Sequence, residues 1–548
     1  MKQIPLNVKN FSKVIGKKYK IDHRVIMKNI PYSPFLFAIF PILILLGNNI
    51  DQVVFTVAVR SMVISCLGTG VLFLMLRLLL RQWSSAAVIT SLCVFLFYSY
   101  GHVYKWVQGL GEIGEIFGRH RFIVPVWLGF LIFGIWYIRR RKDELGTIVR
   151  IFNIFGVAAL ILPLIQILSF SYGSRRFSPS DSRIVAQEGE SQLSLDQRPP
   201  DIYYFILDAY TRQDVLLESF NYDNSEFLEA LESLGFYVAY CSQSNYTQTN
   251  LSMASTFNMN YLQNLLGDSL TSGDEMRIPG FNRSNLVRDS LEELGYTIVA
   301  FETGFYAIQW MDADIYLFPP RSASLGEFFN ITEINGFESL LIQTTAAWAL
   351  VDLVDLPDQM EKFVPDLHAP ISIYRERNLY VLDQFQIDRV PSIQGPKFVY
   401  AHLILPHPPY VFGPNGEEIH DEKKDADREA YRDQLIYTNK RILEIVERMI
   451  KGAPKPHIII LQGDHGLLSD PDKRVAILNA YYFSDWGDEL LYPSISPVNS
   501  FRIIFDHYFH GDYELLEDVS YYSWYDDPLD FDVVPQTTYG KCLIGVDS

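Results

Sequence analysis

The sequence predicts two parts of different physical character. An α-helical membrane domain of about five transmembrane helices occupies residues 1–170, and an α/β domain with a mainly parallel sheet occupies residues 199–548, with a linker at 171–198 between them. Three observations predict this. Apolar runs long enough to cross a bilayer crowd the first part. Residues 1–198 hold 23 Lys+Arg against 10 Asp+Glu, a net charge of +13, whereas the remainder holds 23 against 54, a net charge of −31. Beyond Pro199, short apolar runs alternate with helical stretches, the rhythm of strands and helices in an α/β sheet.

The predicted spans are Pro31–Gly47, Ser61–Leu76, Trp83–Val103, Phe122–Ile138 and Ile151–Phe170. The fourth, FIVPVWLGFLIFGIWYI, has no charge and ends in aromatics, as an interfacial belt would place them. The first is short and runs into the polar stretch NNIDQ, so it either dips into the bilayer or pairs tightly with the second. One such run could be a buried core helix; five in series cannot readily be read so. Basic residues set the orientation. Lys2, Lys9, Lys13, Lys17, Lys18, Lys20, Arg24 and Lys28 precede the first span, Arg77 and Arg81 follow the second, and Arg139, Arg140, Arg141 and Lys142 follow the fourth. The opposite loops hold only Lys105, Arg119 and Arg121, with Arg60 at a boundary. Positive charge stays inside, which predicts a cytoplasmic N-terminus and, after five crossings, an extracytoplasmic C-terminal domain in the cell membrane.

The acidic balance of the C-terminal part excludes a nucleic-acid partner, whose phosphates need a basic surface. Cys66 and Cys93 fall in apolar spans as packing residues, and Cys241 and Cys542 fall in the C-terminal part, where a bridge between them is chemically allowed outside the cytoplasm. Four cysteines without a CxxC pair make neither a disulfide scaffold nor a zinc ribbon.

Predicted strands are Ile202–Leu207, Thr297–Phe301, Phe398–Leu403, His457–Leu461 and Val475–Tyr482; predicted helices are Asn224–Leu234, Asn285–Leu294 and Tyr431–Ile450. In parallel sheets ligands bind beyond the strand C-termini. The run IYYFIL ends in Asp208, and HIIILQG ends in Asp464-His465-Gly466. A carboxylate and an imidazole side by side at a strand mouth suit a divalent ion; the structural alternative is a turn in which Asp caps and Gly supplies a positive φ. Asp208 on a second strand end and His407 in LPHPPY favour the metal. Between them lies the hydroxyl-rich SNYTQTNLSMAST, most of whose members serve as caps and turns. A hydroxyl ligated by a metal becomes a nucleophile, and Thr249 at the centre is the candidate.

The order of these motifs resembles the membrane-anchored branch of the alkaline phosphatase/sulfatase superfamily, which includes lipoteichoic acid synthases, phosphoglycerol transferases and phosphoethanolamine transferases. The resemblance carries Asp208 in FILDAY onto the first metal ligand, Thr249 in QTNLS onto the nucleophile with Ser252 three residues on, His407 onto a substrate-side histidine, and Asp464-His465 onto the closing ligand pair. The stretches KRVAILNAYYF and YPSISPVNSFR look most like an uncharacterised sulfatase-like hydrolase/transferase group. Three departures stand out. Asp208 replaces the Glu usual in the transferases. The stretch after Thr249 lacks the Pro and Arg of a sulfatase C/S-x-P-x-R motif. A later histidine of the family is missing, and Lys473 and Arg474 lie in its stretch as a phosphate clamp or as surface charges.

The resemblance implies an alkaline-phosphatase-like fold and one divalent ion (Mn²⁺, Mg²⁺ or Zn²⁺) held by Asp208, Thr249, Asp464 and His465. Thr249 would attack the phosphorus of a membrane lipid donor, His407 would protonate the leaving oxygen or steady the phosphate, and an envelope glycan or lipid would accept the headgroup. His402 and Arg212 are candidates for substrate binding, with a supporting place for His402 and a surface place for Arg212 as alternatives. A phosphodiester or sulfuric ester hydrolase of the same fold, and an inactive envelope-assembly protein, are the rival functions. The basic-loop asymmetry yields a direct test of orientation. A phosphatase reporter fused after Ser548 should be active and a fluorescent protein fused there dark; the reverse pattern would put the C-terminal domain in the cytoplasm.

Overall fold

The computed structural model describes residues 31–50, 55–110, 117–176, 193–194, 199–267, 274–319, 336–349, 369–419, 428–452, 457–484 and 489–536. They fall into two compact units. The basic tail, most of the predicted linker and Cys542 lie outside the described residues. Cys241 is disulfide-bonded, while Cys66 and Cys93 are free.

The first unit is helical: α1 Ser33–Asn48, α2 Val59–Leu80, α3 Trp83–Gln108, α4 His120–Arg140 and α5 Leu145–Arg176. Among the described residues, four helical segments are long and apolar enough to cross a membrane: Phe55–Leu80, Trp83–Gln108, His120–Arg140 and Leu145–Ser169. They coincide with four of the five predicted spans. The other, α1, has 16 residues. At the α-helical rise that is about 24 Å, against a hydrocarbon core of about 30 Å, so α1 is too short to cross alone. Polar contacts tie it to its neighbours: the Ser33 amide donates to Asn153 Oδ1 at 2.9 Å, and the Ser91 hydroxyl reaches Ser33 Oγ at 3.3 Å.

This unit also takes in residues 337–349, which come much later in the chain. Their backbone meets α3 one helical turn apart. The Ala346 amide donates to Phe97 O at 2.8 Å, and the Gly101 amide donates to Thr344 O at 3.0 Å. Glu338 pairs with Arg60, whose Nε lies 2.6 Å from Glu338 Oε1, and Ala349 packs with Tyr100 and Ile123. Gly101 is what allows the approach. A Cβ there would lie 2.2 Å from Gln343 O and 2.5 Å from the Thr344 carbonyl carbon, both rigid backbone.

The second unit holds a seven-stranded sheet in the order β2-β7-β6-β1-β5-β3-β4. Its strands are β1 Asp201–Leu207, β2 Tyr237–Val238, β3 Thr297–Phe301, β4 Ile315–Leu317, β5 Lys397–Leu403, β6 His457–Gln462 and β7 Asn479–Phe483. The central strands β6, β1, β5, β3 and β4 are parallel; β7 and β2 are antiparallel to their neighbours. The last predicted strand begins four residues too early, because Pro471–Val475 is a helical turn. The link from β6 to β7 contains only that short helix, too little for a crossover, so the chain returns antiparallel. A separate hairpin pairs β8 Ser520–Trp524 with β9 Asp527–Val534.

Every residue of β1, β5 and β6 is buried, as expected of a sheet covered on both faces. Alternation sends Tyr203, Phe205 and Leu207 to one core and Ile202, Tyr204 and Ile206 to the other. Helices α6 Ser225–Ser233, α9 Ala369–Gln386 and α10 Arg428–Gly452 cover the first face; α7 Thr249–Phe257, α8 Leu286–Glu293 and α11 Pro497–Phe509 cover the second. Three of these, α6, α8 and α10, fulfil the predicted helices within a few residues. The close approach at Gly101 is testable. A cysteine at Ala349 should resist thiol labelling in the parent and become reactive in Gly101→Ala, where the added methyl displaces residues 343–344; equal protection in both would contradict the packing.

Candidate active site

The three central strands β6, β1 and β5 end together, and each delivers a polar residue at its C-terminal mouth. Ile206 sits opposite His402 on one side and Gln462 on the other. That register brings Asp208, His402 and Asp464 to one place, on the face that carries Tyr204 and Tyr400. Suitable ligand atoms of these three residues all lie within 4.8 Å of one another, and all three residues are buried. His402 Nε2 is 3.2 Å from Asp208 Oδ2, and its Nδ1 is 3.3 Å from the Tyr400 hydroxyl.

Local backbone holds the carboxylates in place. Ala209 adopts φ of +58°, a left-handed turn that costs energy in a residue with a Cβ. The turn aims the Ala209 amide at Asp464 Oδ1, 3.0 Å away, and the His465 amide donates to the same oxygen at 3.0 Å. The Tyr431 hydroxyl from α10 braces the turn by donating to Ala209 O at 2.9 Å. Among the described residues, nothing donates a hydrogen bond to the buried Asp464 Oδ2 and Asp208 Oδ1. A buried carboxylate oxygen left in that state costs several kcal/mol unless a cation meets it.

His465 and Thr249 complete the cluster. His465 Nδ1 donates to Gly466 O at 2.9 Å, which leaves Nε2 with its lone pair. That Nε2 lies 3.8 Å from Asp208 Oδ1, 3.6 Å from Asp464 Oδ2 and 3.2 Å from Thr249 Oγ1. Thr249 is half-buried and opens α7, so its hydroxyl stands at the positive end of the helix. Thr247, the competing hydroxyl two residues earlier, is buried, and its Oγ1 has no hydrogen-bond partner among the described residues. His407 follows β5; its amide donates to Asp208 O at 3.1 Å, its Nδ1 donates to Pro408 O, and its ring centre stands 6.3 Å from that of His465.

Electrostatics agree with this geometry. Burial opposes charge on Asp208, but His407, the hydrogen bond and charge of His402, and His465 prevail and hold its carboxyl below the usual carboxylate range. Burial lowers His465 below the usual imidazole value; Asp464 and Asp208 work the other way, and Arg474 and His407 add to the lowering. A neutral imidazole beside two carboxylates is the donor set of a divalent metal site. Two orphaned oxygens and the imidazole nitrogen that faces Thr249 fit such an ion.

The structure therefore brings together Asp208, Thr249, His402, His407, Asp464 and His465 and leaves Arg212 apart. The Arg212 guanidinium is buried, bonded to both oxygens of Asp214 at 2.8 Å and to Ser242 O at 3.0 Å. His402 stands among the carboxylates themselves. Its even-numbered place on β5, with Phe398 and Tyr400, was the available signal. Gly466 does not have the positive φ of the turn alternative. A Cβ there would fall 2.7 Å from Lys473 O and 3.1 Å from Arg474 O, so the glycine serves close backbone packing.

The fold and site define an α/β domain with a metal-type centre at its parallel strand ends, in a chain that also carries membrane-length helices. No family model and no curated protein matches the sequence. Among solved structures, the chain is similar to the C-terminal periplasmic domain of EcEptC from Escherichia coli, at 11% identity and a TM-score of 0.41, covering 63% of this chain and 94% of that one. It is also similar to the integral membrane protein lipooligosaccharide phosphoethanolamine transferase A from Neisseria meningitidis, at 11% identity and a TM-score of 0.35, covering 84% and 89%. A third is the lipoteichoic acid synthase LtaP from Listeria monocytogenes, at 11% and 0.33, covering 59% and 76%.

The site predicts its own metal dependence. Asp464→Asn keeps an oxygen for the Ala209 and His465 amides but loses the charge, and His465→Ala loses the ring nitrogen. Both should fold and lose bound divalent metal by elemental analysis, with loss of the ligand-linked stability of about 2.7 kcal/mol at a metal concentration of 100 Kd. Metal content equal to the parent in both would refute the site.

Proposed function

We propose that the chain is a metal-dependent membrane transferase that moves a phospho-headgroup, of phosphoglycerol or phosphoethanolamine type, from a lipid to an envelope glycan or lipid outside the cytoplasm. The observation that carries the reading is the Thr249 hydroxyl 3.2 Å from His465 Nε2, beside two buried carboxylates with unmatched oxygens. A bound divalent ion would favour the Thr249 alkoxide and offset charge on the phosphoryl oxygens. Asp208, Asp464 and His465, with Thr249 Oγ1, are the proposed ligands, and His402, grouped with Asp208 and Asp464, could add a nitrogen to the same set.

In the first step Thr249, its hydroxyl proton already lost to water, forms the Oγ–P bond as the bond from phosphorus to the diacylglycerol oxygen breaks, and the second step returns it as the alkoxide. His407 Nε2 supplies the proton to that leaving oxygen, since its Nδ1 is committed to Pro408 O. In the second step an acceptor hydroxyl gives its proton to His407 and attacks the phosphorus, and the bond to Thr249 breaks. A covalent step suits a donor and an acceptor that need not be bound at the same time. The membrane-length helices support a lipid donor, because they hold the domain where such donors are concentrated.

Thr249→Ala should abolish turnover while keeping metal, and Thr249→Ser should retain part of it. Intact-mass analysis after incubation with donor phospholipid should show a phospho-headgroup adduct in the parent and none in Thr249→Ala. Radiolabel should end on a macromolecule or lipid; release into water alone would identify a hydrolase. Full activity in Thr249→Ala would end the covalent reading.

A further inference from the structure

The charges at the site leave a gap. Asp208 and Asp464 together match a divalent ion, so the surplus positive charge a phosphodiester meets there is the His407 proton, and that proton departs with the leaving oxygen. The diester's negative charge grows as phosphorus becomes five-coordinate, and phosphoryl transfer ordinarily needs further cationic or hydrogen-bonding groups on the non-bridging oxygens. Two cations follow the Asp-His pair in sequence. The structure sends them to different places. Lys473 Nζ turns outward, to Glu218 Oε1 at 3.0 Å and Ser219 Oγ at 3.0 Å. Arg474 turns inward.

The Arg474 guanidinium is stapled between the two segments that carry the reacting pair. Its Nε donates to Thr247 O at 2.8 Å, two residues before Thr249, and its Nη1 donates to Leu467 O at 3.3 Å, two residues after His465. Its Nη2 donates to the Tyr525 hydroxyl at 2.8 Å, at the tip of the β8–β9 hairpin. That hairpin is itself fastened to the nucleophile loop, since Gln248 Nε2 donates to Ser523 Oγ at 3.2 Å. The backbone of Arg474 is held too, through Gly466 N–H donating to its carbonyl. A guanidinium carries five donors in a rigid plane, so these three bonds orient it and leave N–H groups over.

We infer that Arg474 is a substrate-binding residue that grips the non-bridging oxygens of the transferred phosphate beside Thr249, supplying the positive charge that the carboxylates cancel. This rests on the proposed chemistry at Thr249. It assigns a phosphate-binding part to a residue held by Thr247, Leu467 and Tyr525 rather than by any proposed metal ligand.

The test is phosphate affinity without turnover. Full-length, metal-loaded protein in detergent is titrated with inorganic phosphate by calorimetry, as parent, Arg474→Gln, Arg474→Lys, Lys473→Gln and Tyr525→Phe. Loss of a charge-assisted hydrogen bond predicts about a ten- to hundredfold weaker Kd in Arg474→Gln. Arg474→Lys should recover part of it, Lys473→Gln and Tyr525→Phe should bind within about threefold of the parent, and metal content should be constant throughout. If Arg474→Gln destabilises the hairpin, Tyr525→Phe, which removes only the anchor, separates that effect: phosphate affinity lost equally in Tyr525→Phe and Arg474→Gln would make Arg474 a strut and overturn the inference. Parent-like affinity in Arg474→Gln, or no phosphate binding by the parent, would also overturn it. Arg474-dependent phosphate binding with no transfer from any lipid would leave this inference standing and remove the transferase; transfer unaffected by Arg474→Gln would do the opposite.

Discussion

Two buried carboxylates facing one another are the constraint around which the C-terminal unit is arranged. Asp208 and Asp464 are fully enclosed, each with an oxygen that no donor among the described residues meets. Left alone, two like charges in a low-dielectric pocket would repel and shift towards protonation. Three histidines, the helix N-terminus of α7 and the Ala209 and His465 amides lean the other way. What they leave over is the demand for a cation, and the Nε2 lone pair of His465, turned towards Thr249 and the carboxylates, is what such a cation needs.

Rigid elements hold this arrangement because small displacements would undo it. Asp208, His402 and Asp464 stand on adjacent parallel strands whose register is locked by backbone ladders and by buried side chains on both faces. The one costly backbone conformation at the site, the left-handed Ala209, points an amide at Asp464 Oδ1 and is braced by Tyr431. Gly466 lets the 473–476 backbone lie directly over the Asp-His turn. Strain, bracing and close packing all converge on carboxylate placement, as expected where function opposes local stability.

The helical unit answers a different physical problem. Its helices satisfy their own backbone, as a bilayer requires. Where α3 admits a foreign segment at residues 344–346, that segment brings its own donor and acceptor to Phe97 and Gly101. The polar pair Arg60–Glu338 is likewise matched internally.

Much of this is legible in the sequence, because it depends on local chemistry. Apolar runs declare membrane helices through the length a bilayer demands. Alternating short runs declare strands, and two of them run into Asp208 and Asp464-His465, which with His407 in LPHPPY made these residues candidates from the sequence. The short first run, ended by NNIDQ, declared its own weakness, and the helix it forms has 16 residues. Tertiary structure alone decided what depends on register and on which way a side chain turns. His402 stands among the carboxylates because β5 pairs with β1 at Ile206. Arg212 is drawn off by Asp214, and of two adjacent cations Lys473 faces outward while Arg474 faces the nucleophile loop. Residues 337–349 join the helices through a glycine in α3 far away in sequence. Each of these is a contact between distant segments, whose geometry no local pattern encodes.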